Sequence, residues 1–545
     1  LLVESHEGRP TKIEGNPDHP ASNPDVAPQA RSPHGGTDLI TQAAILDLYD
    51  MDRSNSPLEK VGDKLEKKDW AHVDQVSAAA AKRHEADGGA KLRVLMQPTN
   101  SPSILRMRAQ FMKRFPKSRV HAYAPVSNRN ALEGARLAFG RPMNTLAHYD
   151  RARVIVSLDS DFLQKEAGSV RATKLFAAGR RLRTNADQMS RLYVIEPTLT
   201  TTGANAEHRL RAAAADVPGL ALALAKQLAA QRPRLADIAV DAPAAPAGAA
   251  EWIAALAKDM VRAPCVVVAG SRQPPIVHAI AHAMNEALGA VGNTVQYVDA
   301  TDPDAKDGVE DLKALVDAMN GGEVDTLIIL GGNPVYDAPA DFKFAEALAK
   351  VKTSMHLSSH VDETSEKCFA HMPLAHELES WGDQRSLDGT VAIQQPLVAP
   401  LFNGRSELEV WAMLAGEEPK GYDIVRGTMR AGLLAAKGIT DCGAVTNGKA
   451  ECKDAQGNKF DFVMADLDKD WKRALRDGFI ARKPGGPATP AGGVRTAEIA
   501  AAIKKRPAVT PVSKDNLEVT FSSCAKMFDG RHANNVWLME LPDPL

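Results

Sequence analysis

The sequence predicts an α/β protein of several domains, with mainly parallel sheets flanked by helices. Three observations carry this. Short apolar runs alternate with amphipathic stretches through most of the chain, the pattern of strands joined by crossover helices. At roughly 100–200 residues per domain, the 545 residues predict about three or four domains. Hydrophobic residues make up 44% and charged residues 25%, an ordinary globular composition that excludes a disordered, collagenous or coiled-coil chain.

The elements follow in order. Leu1–Val3, a turn at Glu7-Gly8-Arg9-Pro10 and Thr11–Gly15 have hairpin character. A Pro/Asn/Gly-rich loop runs from Asn16 to Gly36, and Thr37 is placed to cap a helix before Leu39, Ile40, Ala43, Ala44 and Leu46. Helices at 69–84, 101–115 and 128–139 precede strands at Leu92–Met96, Arg119–Tyr123 and Val154–Leu158. A strand at Leu192–Glu196 and a helix at 216–231 lead to a Pro/Ala linker at 241–248, whose composition marks a domain edge. The alternation resumes with strands at Cys265–Ala269, Val295–Val298, Asp325–Leu330 and Thr353–Leu357. Helices are expected between and after them at Pro274–Leu288, Val309–Asn320 and Phe342–Val351. After residue 400 the pattern weakens: helices at 405–415 and 470–477 flank a loop-rich stretch from 416 to 468. Pro and Gly cluster again at 484–493, and a strand is expected at Leu517–Ser522.

Charge and cysteine content narrow the function classes. With 66 Lys plus Arg against 68 Asp plus Glu, the net charge is −2, so nucleic acid is not an expected partner. Aromatic residues are few, 6 Trp, 7 Tyr and 14 Phe, which argues against stacking platforms for single strands. No apolar run approaches the ~18 residues of a membrane-spanning helix; the best, Leu220–Ala230, is broken by Lys226. Leu1–Gly8 reads as the middle of a strand rather than a signal peptide, and the last residues also read as internal, so a longer precursor is expected. The five cysteines, Cys265, Cys368, Cys442, Cys452 and Cys524, contain no CxxC and no CxxCH, which excludes a locally written cluster, zinc site or c-type haem attachment. Cys442 and Cys452 form either a disulfide in an oxidising compartment or two free thiols.

Two loops are candidate ligand contacts. Gly331-Gly332-Asn333-Pro334 and Gly270-Ser271-Arg272-Gln273 each follow a predicted strand. Ligands of open parallel sheets collect beyond the strands' carboxyl ends, and Gly270, Arg272, Gln273, Gly332 and Asn333 are the cleft candidates. A tight turn needing unusual φ values is the plainer reading of each. His371, His376 and Glu379 form H-x4-H-x2-E, with ligand chemistry but with Pro373 between the histidines. They would not share a helical face, so structural roles are preferred to metal binding. No GxGxxG, P-loop or GxSxG motif occurs, which leaves nucleotide-fingerprint and Ser-hydrolase readings without support. A thiamine-diphosphate enzyme would show GDG before its NN segment, and Asn534-Asn535 has none.

Several segments carry a family resemblance. Glu7–Pro20 resembles the start of molybdopterin oxidoreductases of the formate dehydrogenase and DMSO reductase type, and Leu46–Arg53 resembles the segment that follows it. Val266–Thr294 and Gly331–Pro334 are similar to later motifs of that family, in the right order. His376–Asp383, Asp388–Thr390, Gln395–Leu401 and Asp529–Leu538 resemble one branch, the large iron–sulfur, molybdopterin-like subunit of bacterial alternative complex III, a quinol:electron acceptor oxidoreductase.

The resemblance implies a multi-domain molybdopterin-oxidoreductase-like fold. It implies a hetero-oligomer on the periplasmic face of the cytoplasmic membrane, with multihaem and monohaem c-type cytochromes and quinol-binding integral membrane subunits as partners. Catalytic family members carry cluster cysteines around the first motif, whereas residues 21–38 hold none. The expectation is therefore a scaffold with no catalytic residue, no metal, no cofactor and no molybdopterin, beside iron–sulfur clusters in a further part of the subunit. The rivals are a catalytic molybdenum enzyme of the sulfur-compound type and a stand-alone small-molecule-binding module. The expected organisation is a β segment and loop at 1–60, a first α/β domain from 61–150 plus 265–415, an inserted α/β domain at 151–264, and a loop-rich arm at 416–545. Trp381 and Trp537 are the expected exposed anchors for partners, with ordinary core tryptophans as the alternative.

Overall fold

The computed structural model describes residues 1–22, 35–182, 184–185, 188–240, 243, 248–302, 308–443, 446, 449–481, 490, 492–506 and 512–545. The predicted linker at 241–248 lies almost wholly outside these residues. So do most of the Pro/Gly cluster at 484–493 and the part of the first loop at 23–34.

Two sheets organise the chain. The first runs in the order Lys64–Lys67, Leu58–Val61, Ala370–Pro373, Thr353–Ser358, Thr326–Leu330, Leu92–Met96, Arg119–Ala122. Its last five strands are parallel, and the first two add an antiparallel edge. The second has four parallel strands in the order His208–Arg211, Arg191–Glu196, Val154–Leu158, Cys265–Ala269. The central strands, Thr326–Leu330 and Val154–Leu158, are buried along their whole length. That is why they read as continuous aliphatic runs rather than alternating ones.

Each sheet reverses its winding at one place. In the first, Thr326–Leu330 lies beside Leu92–Met96 on the side away from Arg119–Ala122. In the second, Cys265–Ala269 lies beside Val154–Leu158 on the side away from Arg191–Glu196. These are the topological switch points, where open parallel sheets bind ligands beyond their carboxyl ends.

The pairing of Cys265–Ala269 with Val154–Leu158 corrects the domain boundary read from the sequence. Residues 265–299 pack on the second sheet, not the first. The helix Pro275–Ala287 lies against Arg129–Phe139, and Gly134 permits it: a Cβ there would sit 2.4 Å from the His278 Cβ. Val295–Asp299 pairs with Met143–Ala147, a strand absent from the sequence reading. One core therefore joins Ala135, Val154, Leu222, Val266, Ile280 and Tyr297, and the late helix Thr496–Lys504 adds Ile499.

Other local expectations change. Asp38, not Thr37, caps the helix Leu39–Leu48, accepting from the Thr41 amide at 2.7 Å. The stretch 416–468 is not loop-rich. It holds the helix Gly421–Ala436 and an antiparallel sheet of Ile439–Cys442, Lys449–Asp454 and Lys459–Val463, and the helix Met464–Asp477 begins within it. The strands escaped notice because their side chains are mostly polar and exposed. Leu517–Ser522 forms no strand; Leu517, Val519 and Phe521 are all exposed. Cys442 and Cys452 are joined as a disulfide. No helix among the described residues is long and apolar enough to cross a membrane.

Candidate functional site

At the second switch point the two loops close on each other. Asp159 follows its strand with φ 57°, a left-handed conformation that Asp tolerates better than most residues. Gly270, after the neighbouring strand, lies so near that a Cβ would fall 1.8 Å from the Asp159 carbonyl oxygen. The side chain of Asp159 is buried at 1% exposure. It accepts from Arg272 Nη2 at 2.7 Å and from Gln273 Nε2 at 2.9 Å. Glu166 accepts from the Ser271 amide at 2.9 Å. Burial first, with Asp159 and Asp161 adding repulsion, holds the Glu166 carboxyl above its ordinary range. Asp161 accepts from the Thr202 amide and hydroxyl, and Glu196 accepts from Arg209 Nε at 2.5 Å.

At the first switch point Gly331 and Gly332 adopt φ of 71° and 74°, a turn that only glycine makes without strain. The Gly332 carbonyl accepts from His356 Nε2 at 2.9 Å. Asn333 is fixed by donating to Glu363 at 2.6 Å and accepting from the Thr364 hydroxyl at 2.7 Å. A late segment covers this end of the sheet. Arg531 donates to Gln97, beside Gly332, at 2.9 Å and pairs in a fork with Asp529, whose side chain is 4% exposed. Asn534 donates to Asp50 at 3.1 Å, and Asn535 donates to the Ala43 carbonyl at 3.0 Å. Burial, then the charge of Asp529, pushes the Asp337 carboxyl up to about 6.

The five cleft candidates thus fall at two separate places: Gly270, Arg272 and Gln273 at one, Gly332 and Asn333 at the other. Sequence reading missed their partners, Asp159, Glu166, Gln97 and Arg531. The one local hint was an aspartate directly after a strand. A pterin with its phosphate is an anion, and an anion site needs uncommitted donors. Here Arg272 and Arg531 are each paired with a buried carboxylate, and Gln273 is spent on the same Asp159. At these two loops the charged donors are already engaged by this chain's own carboxylates.

His371, His376 and Glu379 hold structure. His371 bridges Ser365 and Ser54 at 2.9 and 2.7 Å, continuing a buried chain from His356 through Ser365. His376 accepts from the Leu378 amide and contacts the Ala44 carbonyl. Glu379 forms a fork with Arg53 at 3.2 and 2.8 Å, with both side chains at most 2% exposed. It also accepts from the amides of His376 and Leu401. No group of three metal-ligating side chains occurs among the described residues. Trp381 is half-buried, with its ring edge-on to Tyr422 at 5.0 Å, so it is not the exposed anchor expected; Trp537 is 44% exposed.

No protein-family model matches the sequence. The chain is 24% identical over 456 residues to the menaquinone reductase, molybdopterin-binding-like subunit of Nitratidesulfovibrio vulgaris, covering 76% of this chain and 63% of that protein. The chain thus spans less than two thirds of that relative's length. Among solved structures, acetylene hydratase from Pelobacter acetylenicus superposes with a TM-score of 0.55 at 15% identity, covering 70% of this chain and 64% of the other. The two parallel sheets, their order and these likenesses make the chain molybdopterin-oxidoreductase-like in fold.

Proposed function

We propose that this chain is the molybdopterin-enzyme-like scaffold of a membrane-associated respiratory quinone oxidoreductase, of the alternative complex III type, and that this span binds no molybdopterin. The observation that carries the reading is the Asp159 carboxylate, which draws Arg272 and Gln273 inward at the switch point. The likeness to a subunit named for menaquinone reductase supports the respiratory assignment.

The scaffold would hold a cluster-bearing part of the subunit in register with c-type cytochromes and quinol-binding membrane subunits. Redox centres must sit at fixed positions, and the protein supplies those positions. The Cys442–Cys452 disulfide supports an oxidising compartment, hence the periplasmic face of the membrane. Exposed Trp537, with Val536 at 65% and Met539 at 58% exposure, is the anchor proposed for a partner.

The test is affinity purification of the tagged chain from native membranes in mild detergent. Co-purification of haem-bearing cytochromes and integral membrane subunits is expected. Recovery of the chain alone, or as an active soluble molybdenum enzyme, would overturn the proposal.

A further inference from the structure

A cavity of about 160 Å³ lies beside the second switch point, lined from the helices Arg129–Phe139 and Pro275–Ala287 and the segment 160–172. Much of its wall is apolar, including Leu132, Met143 and Phe162, and Glu166 and Arg171 also line it. Two imidazoles also line it, His278 and His282, spaced i, i+4 on one helix and each 5% exposed. Side chains at that spacing are neighbours on one helical face. The Nε2 atom of each is buried without a hydrogen-bond partner. An orphaned buried polar atom is costly, and two facing one cavity mark a place built for an occupant.

The buried Tyr297 hydroxyl lies 3.0 Å from His282 Nδ1, and the backbone of Gly270 and Gln273 faces the His278 ring. Each neutral ring has one nitrogen that donates and one that accepts. Burial keeps both rings neutral. No third metal ligand joins them among the described residues, so a zinc-type centre is not built here.

We propose that this cavity binds a small, neutral, hydroxyl-bearing ring, with the ring against the apolar wall and the hydroxyl between the two Nε2 atoms. A hydroxyl both donates and accepts, so it can pair with each Nε2 whichever role that atom takes. The volume is that of one ring, since about 150 Å³ suffices for benzene. The proposal does not depend on the scaffold reading.

The experiment is calorimetric titration of the full chain with phenol as the probe and benzene as its control. Saturable binding of one phenol per chain is expected, with benzene at least tenfold weaker. His282→Phe should weaken phenol at least tenfold while leaving benzene unchanged. Leu132→Trp fills the space without touching either histidine and should abolish both. Absence of saturable phenol binding, or equal binding of phenol and benzene by the unaltered chain, would overturn the proposal. So would an unweakened His282→Phe variant, or crystals grown with phenol that show only water in the cavity.

Discussion

The two switch points are closed in different ways. At the second, the loops of adjacent strands close on each other: Asp159 takes Arg272 and Gln273, and Glu166 takes Ser271. At the first, the glycine turn stays open, and the end of the sheet is covered by residues brought from far along the chain. Arg531 reaches Gln97 across 434 positions, and Asn535 reaches Ala43 across 492. The second site is shut by its own buried charges and the first by a cover from the far end of the chain. That cover mixes exposed hydrogen bonds, Arg531 to Gln97 and Asn534 to Asp50, with the buried Asn535.

Altering the deepest long-range tie should have the largest effect. Glu379→Ala strands Arg53 as a buried unpaired charge, and a loss of about 3–5 kcal/mol is expected in urea unfolding. A loss under half that size would show that the first half does not depend on this pair. At the second site, Asp159→Ala removes the shared acceptor of Arg272 and Gln273 and forces alanine into a left-handed conformation. About 2–3 kcal/mol of stability should go, with faster hydrogen exchange confined to residues near 159 and 270.

Acid should also act on the second half. Burial holds His278 at about 4 and His282 at about 3, so the unfolded chain binds more protons between those values and the ordinary histidine range. Their contribution is present above pH 6.5 and is lost as pH falls toward 4. At pH 5 each should cost about 2 kcal/mol, read as a falling melting temperature whose slope flattens in His282→Phe. The smallest effect belongs to the cover: Asn534→Ala removes an exposed hydrogen bond to Asp50 and should cost below about 1 kcal/mol, yet it should raise exchange near Asp50. A cost as large as that of Asp159→Ala would erase the contrast between the two ends.

How much of this was legible in the sequence follows from how local each signal is. Val154–Leu158 and Thr326–Leu330 announce themselves as buried aliphatic runs. Gly331-Gly332 announces a turn at a strand's end, and both candidate loops were found this way. What could not be read is pairing over distance. Nothing in Cys265–Ala269 says that its neighbour is Val154–Leu158 rather than a strand of the first sheet, and the domain boundary shifted for that reason. Asp159 and Gln97 escaped for the same cause, since the partners that give them their roles, Arg272 and Arg531, lie more than 100 positions away. The strands at 449–463 do alternate, as Ala450 and Cys452 then Phe460 and Phe462 show, but over short runs, while Leu517–Phe521 has the same alternation and forms no strand.

The central proposal is that this span binds no phosphate-bearing pterin, Arg272 and Gln273 being engaged by Asp159. The direct measurement is molybdenum content by elemental analysis, with pterin fluorescence after oxidative release, on the chain purified within its native assembly. The account predicts neither above background. One molybdenum and one pterin per chain would contradict it.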